Sequence, residues 1–195
     1  MTEDARKTAL VDSARERARA AGFQLSSEND VGRLLAVLAA ATLADGRILE
    51  LGTGVGVGLA WLVTGLGQRT DVGVVSVERD PDLVDRARAE RWPEYVSLHC
   101  ADALDFLDRV GHFDLIFADA EGGKTEGIER TIGALRPGGL LVVDDMSPRP
   151  DDPYHSSLWP QLARAREVLV SHPALACVEL DWSSGVIVCA RRRDT

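Results

Sequence analysis

The chain has 195 residues, of which 45% are hydrophobic and 27% are charged. These values are ordinary for a globular protein, and the length suits one domain with a sizeable hydrophobic core. The formal net charge is −9, so the chain lacks the overall basic character that binding to nucleic-acid phosphates favours. Composition therefore favours a small-molecule ligand and disfavours nucleic acid, although it leaves room for a local basic patch.

The three cysteines, Cys100, Cys177 and Cys189, each lie in an apolar stretch, and none forms a C-x-x-C pair. An odd number without metal-ligand spacing predicts reduced core residues rather than disulfides or metal ligands, and with them a cytoplasmic protein. No apolar run approaches the roughly 20 residues that span a bilayer, so no membrane contact is expected.

The N-terminal part of the chain is predicted to be helical. Residues 4–21 are rich in Ala and Arg and end at Gly22, which is typical of an exposed amphipathic helix with a glycine stop. Ser27 is predicted to cap a second helix, whose apolar residues recur at helical spacing as far as Ala41. We therefore divide the chain into an N-terminal helix and linker, residues 1–26, and a main domain, residues 27–195.

Short apolar runs alternate with helical patterns through the main domain. This alternation predicts an α/β fold with a mainly parallel sheet, and the short link between the last two strands predicts an antiparallel hairpin. The predicted strands are residues 48–51, 72–77, 95–100, 113–118, 140–143, 175–180 and 185–191. The predicted later helices are residues 81–91, 103–110, 125–135 and 158–170, with loops at 121–124 and 146–157.

The first strand leads into an unusual turn. Glu50 lies inside the strand end, and glycines then occupy every second position at Gly52, Gly54, Gly56 and Gly58. This spacing does not fit the G-x-G-x-x-G fingerprint of dinucleotide-binding proteins. The Glu50 carboxylate would repel a pyrophosphate and attract a cationic ligand. The turn therefore predicts a ligand lying against bare backbone with its positive charge near Glu50.

Each of the first five strands ends at or just before an acidic residue. The carboxyl ends of parallel strands meet at one edge of a sheet, so these acids are expected to converge on one crevice. Helix capping is the alternative explanation for one or two of them. The five acids are Glu50, Glu78, Asp102, Asp119 and Asp144.

Glu50 followed by alternating glycines resembles the first motif of the class I S-adenosylmethionine-dependent methyltransferases. The resemblance implies a single-domain, Rossmann-like, seven-stranded sheet with helices on both faces and S-adenosylmethionine as cofactor. It places Glu50 at the methionine end, Glu78 at the ribose hydroxyls, and Asp102 with the backbone of Ala103 at the adenine. The residues assigned to the cofactor are Glu50, Gly52, Thr53, Gly54, Gly56, Glu78, Arg79, Asp102, Ala103 and Asp119.

Three longer motifs are similar to the small O-methyltransferases related to catechol and caffeoyl-CoA O-methyltransferases. They are Ile48-Leu49-Glu50-Leu51-Gly52-Thr53-Gly54, Phe113-Asp114-Leu115-Ile116-Phe117-Ala118-Asp119-Ala120, and residues 135–145. This resemblance implies Asp119, Asp144 and Asp145 as ligands of a divalent cation such as Mg²⁺, which suits carboxylate oxygens. It also implies Asp119 and a lysine as catalytic residues.

The sequence departs from that subfamily at three positions. Asp145 replaces the usual Asn, and Gly58 replaces a Ser that often binds the methionine carboxylate. Gly122 stands where the family has its lysine base, so Lys124 can serve as the base only if the loop bulges.

The predicted function is methyl transfer from S-adenosylmethionine to a hydroxyl of a small aromatic or natural-product-like molecule, with Mg²⁺ assistance as an option. Two alternatives stay open: a tRNA-modifying methyltransferase of the same fold, which needs a basic patch, and a non-catalytic module that binds an adenosine ligand. A homodimer is expected by analogy only.

Overall fold

The computed structural model describes residues 3–193, so residues 1, 2, 194 and 195 of the predicted regions lie outside the described residues. The helices are α1 (Glu3–Ala21), α2 (Asn29–Ala41), α3 (Val57–Leu66), α4 (Pro81–Arg88), α5 (Ala103–Leu107), α6 (Glu121–Lys124), α7 (Ile128–Gly133) and α8 (Pro153–Ser171). The strands are β1 (Arg47–Leu51), β2 (Gly73–Glu78), β3 (Val96–Cys100), β4 (Phe113–Ala118), β5 (Leu135–Val143), β6 (Leu175–Leu180) and β7 (Val186–Arg191).

The strands form one sheet in the order β3-β2-β1-β4-β5-β7-β6. Strands β1 to β5 pair in parallel, whereas β7 pairs antiparallel with both β5 and β6. This confirms the prediction of a seven-stranded, mainly parallel sheet that ends in an antiparallel hairpin. The strand order reverses at β1 and β4, and the loops that follow these two strands therefore border a crevice.

Helices cover both faces of the sheet, as predicted. Successive residues of a strand point to opposite faces, and neighbouring residues of β1 and β4 belong to different cores. Leu49 and Ile116 pack with residues of α5, α7 and α8. Ile48 and Leu115 pack with residues of α2 and α3.

Helix α1 packs on the domain rather than standing exposed. Val11, Ala14 and Ala18 are buried in a third apolar cluster with residues of α3. The predicted glycine stop is confirmed, because Gly22 has a φ of 62° and Phe23 N–H donates to the carbonyl oxygen of Ala18. The division at residue 26 stays a prediction. None of the helices between residues 3 and 193 is both long and apolar enough to cross a membrane.

Two predicted boundaries near the crevice are wrong. Ser27 does not cap α2, because the N-cap is Glu28 and no side chain bonds to the helix start there. Helix α8 begins at Pro153 instead of residue 158, since the Asp152 carboxylate accepts from two backbone N–H groups and Pro suits the first turn. The predicted loop 146–157 is correspondingly shorter.

The prediction for the cysteines is also wrong. Cys177 and Cys189 form a disulfide, because the register of β6 and β7 places them directly opposite each other. Cys100 is exposed instead of buried. Residue spacing could not show this pairing, since it depends on which residues of the hairpin face each other.

Candidate functional site

A cavity of about 270 Å³ lies at the carboxyl ends of β1 and β2. Eight of the ten residues that the sequence assigned to a cofactor line it, whereas Glu50 and Gly56 do not. We call it the strand-end cavity. The eight residues are Gly52, Thr53, Gly54, Glu78, Arg79, Asp102, Ala103 and Asp119.

The glycine turn forms the floor of this cavity. Gly52 and Gly54 have φ values of 100° and 52°, in the left-handed region that side chains disfavour. A Cβ on Gly54 would lie 2.9 Å from the ring of Phe23, which covers the turn from the N-terminal linker. Gly56 has a φ of 93° and faces Trp92 instead of the cavity. Its glycine is therefore explained by the shape of the turn, and contact with a ligand stays a prediction.

Glu50 lies behind the turn as a buried carboxylate. One oxygen accepts a hydrogen bond from Ser76, whose hydroxyl also pairs with that of Thr53 at 2.5 Å. The other oxygen, Oε1, is buried and has no hydrogen-bond partner among the described residues. Burial, with smaller contributions from the carboxylates of Asp119 and Glu78, raises the pKa of Glu50 to about 8.

The carboxylates of Glu78 and Asp102 both contact backbone N–H groups. Glu78 accepts from Gly54 at 2.9 Å and from Asp80 at 3.0 Å, so its position is fixed against the glycine turn. Asp102 Oδ1 accepts from two N–H groups of α5 and caps that helix. The capping explanation therefore holds for this oxygen of Asp102, although its residue also lines the cavity.

A second cavity of about 210 Å³ adjoins the first. We call it the lysine cavity, because Lys124 lies in its wall. The two cavities share six lining residues, which form a common wall between them. The shared residues are Leu25, Ser26, Ser27, Asp119, Glu121 and Tyr154.

A cluster of charged side chains forms the wall of the lysine cavity. The Nζ atom of Lys124 lies 3.3 Å from Asp119 Oδ1 and 3.4 Å from Asp145 Oδ2. Arg149 pairs with the other oxygen of Asp145. The bulge that the sequence required is present, since Gly122 and Gly123 depart from helical geometry just before Lys124. Lys124 is only 6% exposed.

Burial also affects the acids of this cluster. It raises the pKa of Asp119 to about 7, against the opposing effect of the Lys124 ammonium. Burial likewise raises the pKa of Asp144, against the opposing hydrogen bond from the Ser184 hydroxyl. Both carboxylates are therefore held in an environment that disfavours their negative charge.

The three carboxylates predicted to bind Mg²⁺ do not fit a metal in this arrangement. Asp119 and Asp145 are both paired with the Lys124 ammonium. Asp144 Oδ1 accepts from the Ser184 hydroxyl and from the N–H of Asp145. With the side chains in these positions, no group of three or more His, Cys, Asp or Glu residues within residues 3–193 forms a metal site.

Sequence reasoning missed the polar residues that long-range contacts bring to the site. The Ser27 hydroxyl lies 3.5 Å from Asp119 Oδ2, and Ser76 supports Glu50 from the neighbouring strand. His155, which falls in the predicted loop 146–157, is 4% exposed, and its Nε2 donates to the carbonyl oxygen of Asp145 at 3.0 Å. The recognisable signal was the Asp152-Pro153 helix start, which turns His155 inward.

The fold and the strand-end cavity together define a Rossmann-like protein of the methyltransferase type. The family described as "Methyltransferase domain" matches residues 49–146, half of the chain. The chain therefore belongs to this family, and the resemblance to class I methyltransferases is confirmed.

Curated relatives with the name "Putative O-methyltransferase" are similar to most of the chain. The protein from Mycobacterium sp. (strain JLS) is 32% identical over 141 residues, which are 69% of this chain and 63% of that protein. The protein from Mycolicibacterium vanbaalenii is 34% identical over 145 residues, which are 69% and 62% of the two chains. The chain thus spans less than two thirds of the length of these relatives.

Solved structures show the same fold over nearly the whole chain. Cofactor-bound Rv0187 from MTB has a TM-score of 0.80 at 25% identity, covering 95% of this chain and 91% of that one. The O-methyltransferase TomG from Streptomyces achromogenes has a TM-score of 0.76 at 24% identity, covering 94% and 89%.

Proposed function

We propose that this protein transfers a methyl group from S-adenosylmethionine to a hydroxyl of a small molecule. The observation that carries the proposal is that Asp119 lines two adjoining cavities at the strand ends. One cavity suits a nucleoside with a positively charged tail, and the other suits an acceptor. The family match and the names of the relatives support the same chemistry.

The residues of the strand-end cavity fit this cofactor. Glu78 offers a carboxylate for ribose hydroxyls, and the glycine turn leaves backbone open for close approach. The buried Oε1 of Glu50 lacks a partner in the described part of the chain, and a nearby cation would favour loss of the proton that burial holds on this carboxyl. When bound, the cofactor supplies a methyl group on a positively charged sulfur.

The acceptor is proposed to occupy the lysine cavity, with its hydroxyl beside Asp119. A bound cofactor would supply the methyl group to the hydroxyl oxygen and would keep the electron pair of the broken carbon–sulfur bond on its sulfur. The hydroxyl proton passes to the Asp119 carboxylate. Residues of the linker from Phe23 to Ser27 line both cavities. Catalysis then rests mainly on holding the two reactants in line.

Mg²⁺ assistance is no part of this mechanism, because the predicted ligands are paired with protein cations and hydroxyls. Lys124 as a base stays a prediction, and we assign it another role below. A homodimer and a cytoplasmic location also stay predictions. Neither alternative function is favoured by an observation in the lysine cavity.

Calorimetric titration with S-adenosylmethionine tests the cofactor half of the proposal, and radiolabelled methyl transfer to a panel of phenols and alcohols tests the acceptor half. We expect the unsubstituted protein to bind S-adenosylmethionine and Glu78→Gln to bind it more weakly. Glu94→Gln is the matched control, because Glu94 is an exposed acid outside both cavities. Folded protein that does not bind the cofactor would overturn the proposal. Binding without transfer to any hydroxyl of the panel would leave the two alternatives, the tRNA-modifying methyltransferase and the non-catalytic module.

A further inference from the structure

We infer that the Lys124 ammonium is the resident cation of the lysine cavity, that it takes the place the resemblance gives to Mg²⁺, and that it holds one oxygen of the acceptor. The acceptor class is then a compound with a single hydroxyl, with no need for two vicinal oxygens. This inference rests on the proposed function for its substrate half only.

One N–H donor of the Lys124 ammonium is available to a ligand. An ammonium carries three N–H donors and no acceptor. Within the described chain, Lys124 uses two of them, toward Asp119 and Asp145. Its side chain is 8% exposed and lies in the wall of the cavity. The third N–H is therefore free to meet an oxygen that enters the cavity.

The backbone before Lys124 is built to hold this position. Gly123 has a φ of 89°, and a Cβ there would lie 2.5 Å from Leu51. Its N–H donates to Glu126 at 2.7 Å, and its carbonyl oxygen accepts from the Thr131 hydroxyl at 2.7 Å. The kink is thus fixed at both polar groups of Gly123, and it sends Lys124 back toward Asp119.

The charges around Lys124 leave little unbalanced negative charge for a divalent cation. Three carboxylates, those of Asp119, Asp144 and Asp145, face the two cations of Lys124 and Arg149. The cluster already carries most of the positive charge that a metal would bring. A divalent cation entering between Asp119 and Asp145 would have to displace the ammonium or lie against it, which like charge opposes.

This replacement changes what the acceptor must offer. A divalent cation takes six or more oxygen ligands and can bind two vicinal oxygens of a catechol at once. An ammonium is a compact point charge whose free donor contacts one oxygen. A lone hydroxyl therefore satisfies Lys124 fully, and a second oxygen beside it adds nothing at this group.

Titration with Mn²⁺, followed by electron paramagnetic resonance, tests the cation without any need for activity. We expect the protein to bind no Mn²⁺ in the lysine cavity, and Lys124→Met to gain a site because it removes the ammonium and leaves the acids. Arg166→Met is the matched control, since it removes one cation from an exposed ion pair with Glu179. It should gain no site.

Two results would overturn the inference. One is Mn²⁺ binding to the unsubstituted protein that Asp119→Asn abolishes. The other is that neither the unsubstituted protein nor folded Lys124→Met binds Mn²⁺, because the three carboxylates would then not form a cation-binding site. The first result does not depend on whether Lys124→Met folds, because it needs only the unsubstituted protein and Asp119→Asn.

The substrate half is tested by methyl transfer in the presence of EDTA. We expect a monohydroxy phenol and its catechol counterpart to be methylated at similar rates. The substrate half would be overturned if EDTA abolished transfer, Mg²⁺ restored it, and catechol but not the monohydroxy phenol was then methylated. Cofactor titration in the same samples separates the two proposals, because loss of cofactor binding sinks the proposed function while the Mn²⁺ titration still reports on Lys124.

Discussion

The two adjoining cavities are assembled in different ways. Most residues of the strand-end cavity lie at or just after the ends of β1, β2, β3 and β4, and the others come from the N-terminal linker, Glu126 and Tyr154. The lysine cavity combines the N-terminal linker, the kink before Lys124, the segment after β5 and the start of α8. Short motifs can specify the first cavity, whereas the second exists only after distant segments have packed together.

The largest expected effect comes from Asp119, where the two cavities meet. Asp119→Asn keeps the size of the side chain and removes its capacity to accept the hydroxyl proton. We expect kcat to fall by about 10²–10⁴-fold, the range for loss of a proton-transfer group. Steady-state kinetics and cofactor titration on the same variant check this. An unchanged kcat would show that the shared wall has no part in the chemistry.

The next effect concerns Glu50 and the dependence of stability on pH. Its pKa is about 8 in the folded protein against 4.5 as the ordinary value, so the folded state keeps a proton that the unfolded state loses. Stability therefore falls as pH rises from about 4.5 to about 8, by about 1.4 kcal/mol for each pH unit.

Glu50→Gln removes this pH dependence. Between pH 4.5 and about 8, the free energy of unfolding of the variant should rise relative to that of the unsubstituted protein by a total on the order of 5 kcal/mol. Urea unfolding at several pH values measures the difference. Cofactor binding should weaken at the same time, because Gln cannot ionise in response to a bound cation as Glu50 can. A difference in stability that does not vary with pH would contradict the buried-charge explanation.

Glu78 tests whether the strand-end cavity binds through one dominant carboxylate. Glu78→Gln loses charge-assisted bonds to ribose hydroxyls, and we expect the Kd for S-adenosylhomocysteine to rise by about 10–100-fold. The thermal unfolding curve of the free variant controls for its contacts with Gly54 and Asp80. An equal Kd for both proteins would move the nucleoside away from this residue.

The smallest expected effect is at Gly58. Gly58→Ser introduces the residue that the resemblance to the small O-methyltransferases implies at this position, yet a Cβ there would lie 2.2 Å from Glu50 Oε1. We expect a loss of about 1–3 kcal/mol in the free energy of unfolding, as for other overpacked sites. Urea unfolding checks this value. Tighter cofactor binding without destabilisation would mean that Glu50 can move aside.

The amino-acid sequence by itself determined the order of elements and the strand-end cavity. Hydrophobic runs and turn residues report on the strand or helix that contains them, and the glycine turn, Glu78 and Asp102 lie where β1, β2 and β3 end. Only the tertiary structure decided the disulfide, the buried position of His155 and the pairing of Lys124 with Asp119 and Asp145. These depend on register and on packing between segments far apart in the chain, and local patterns do not encode such distances.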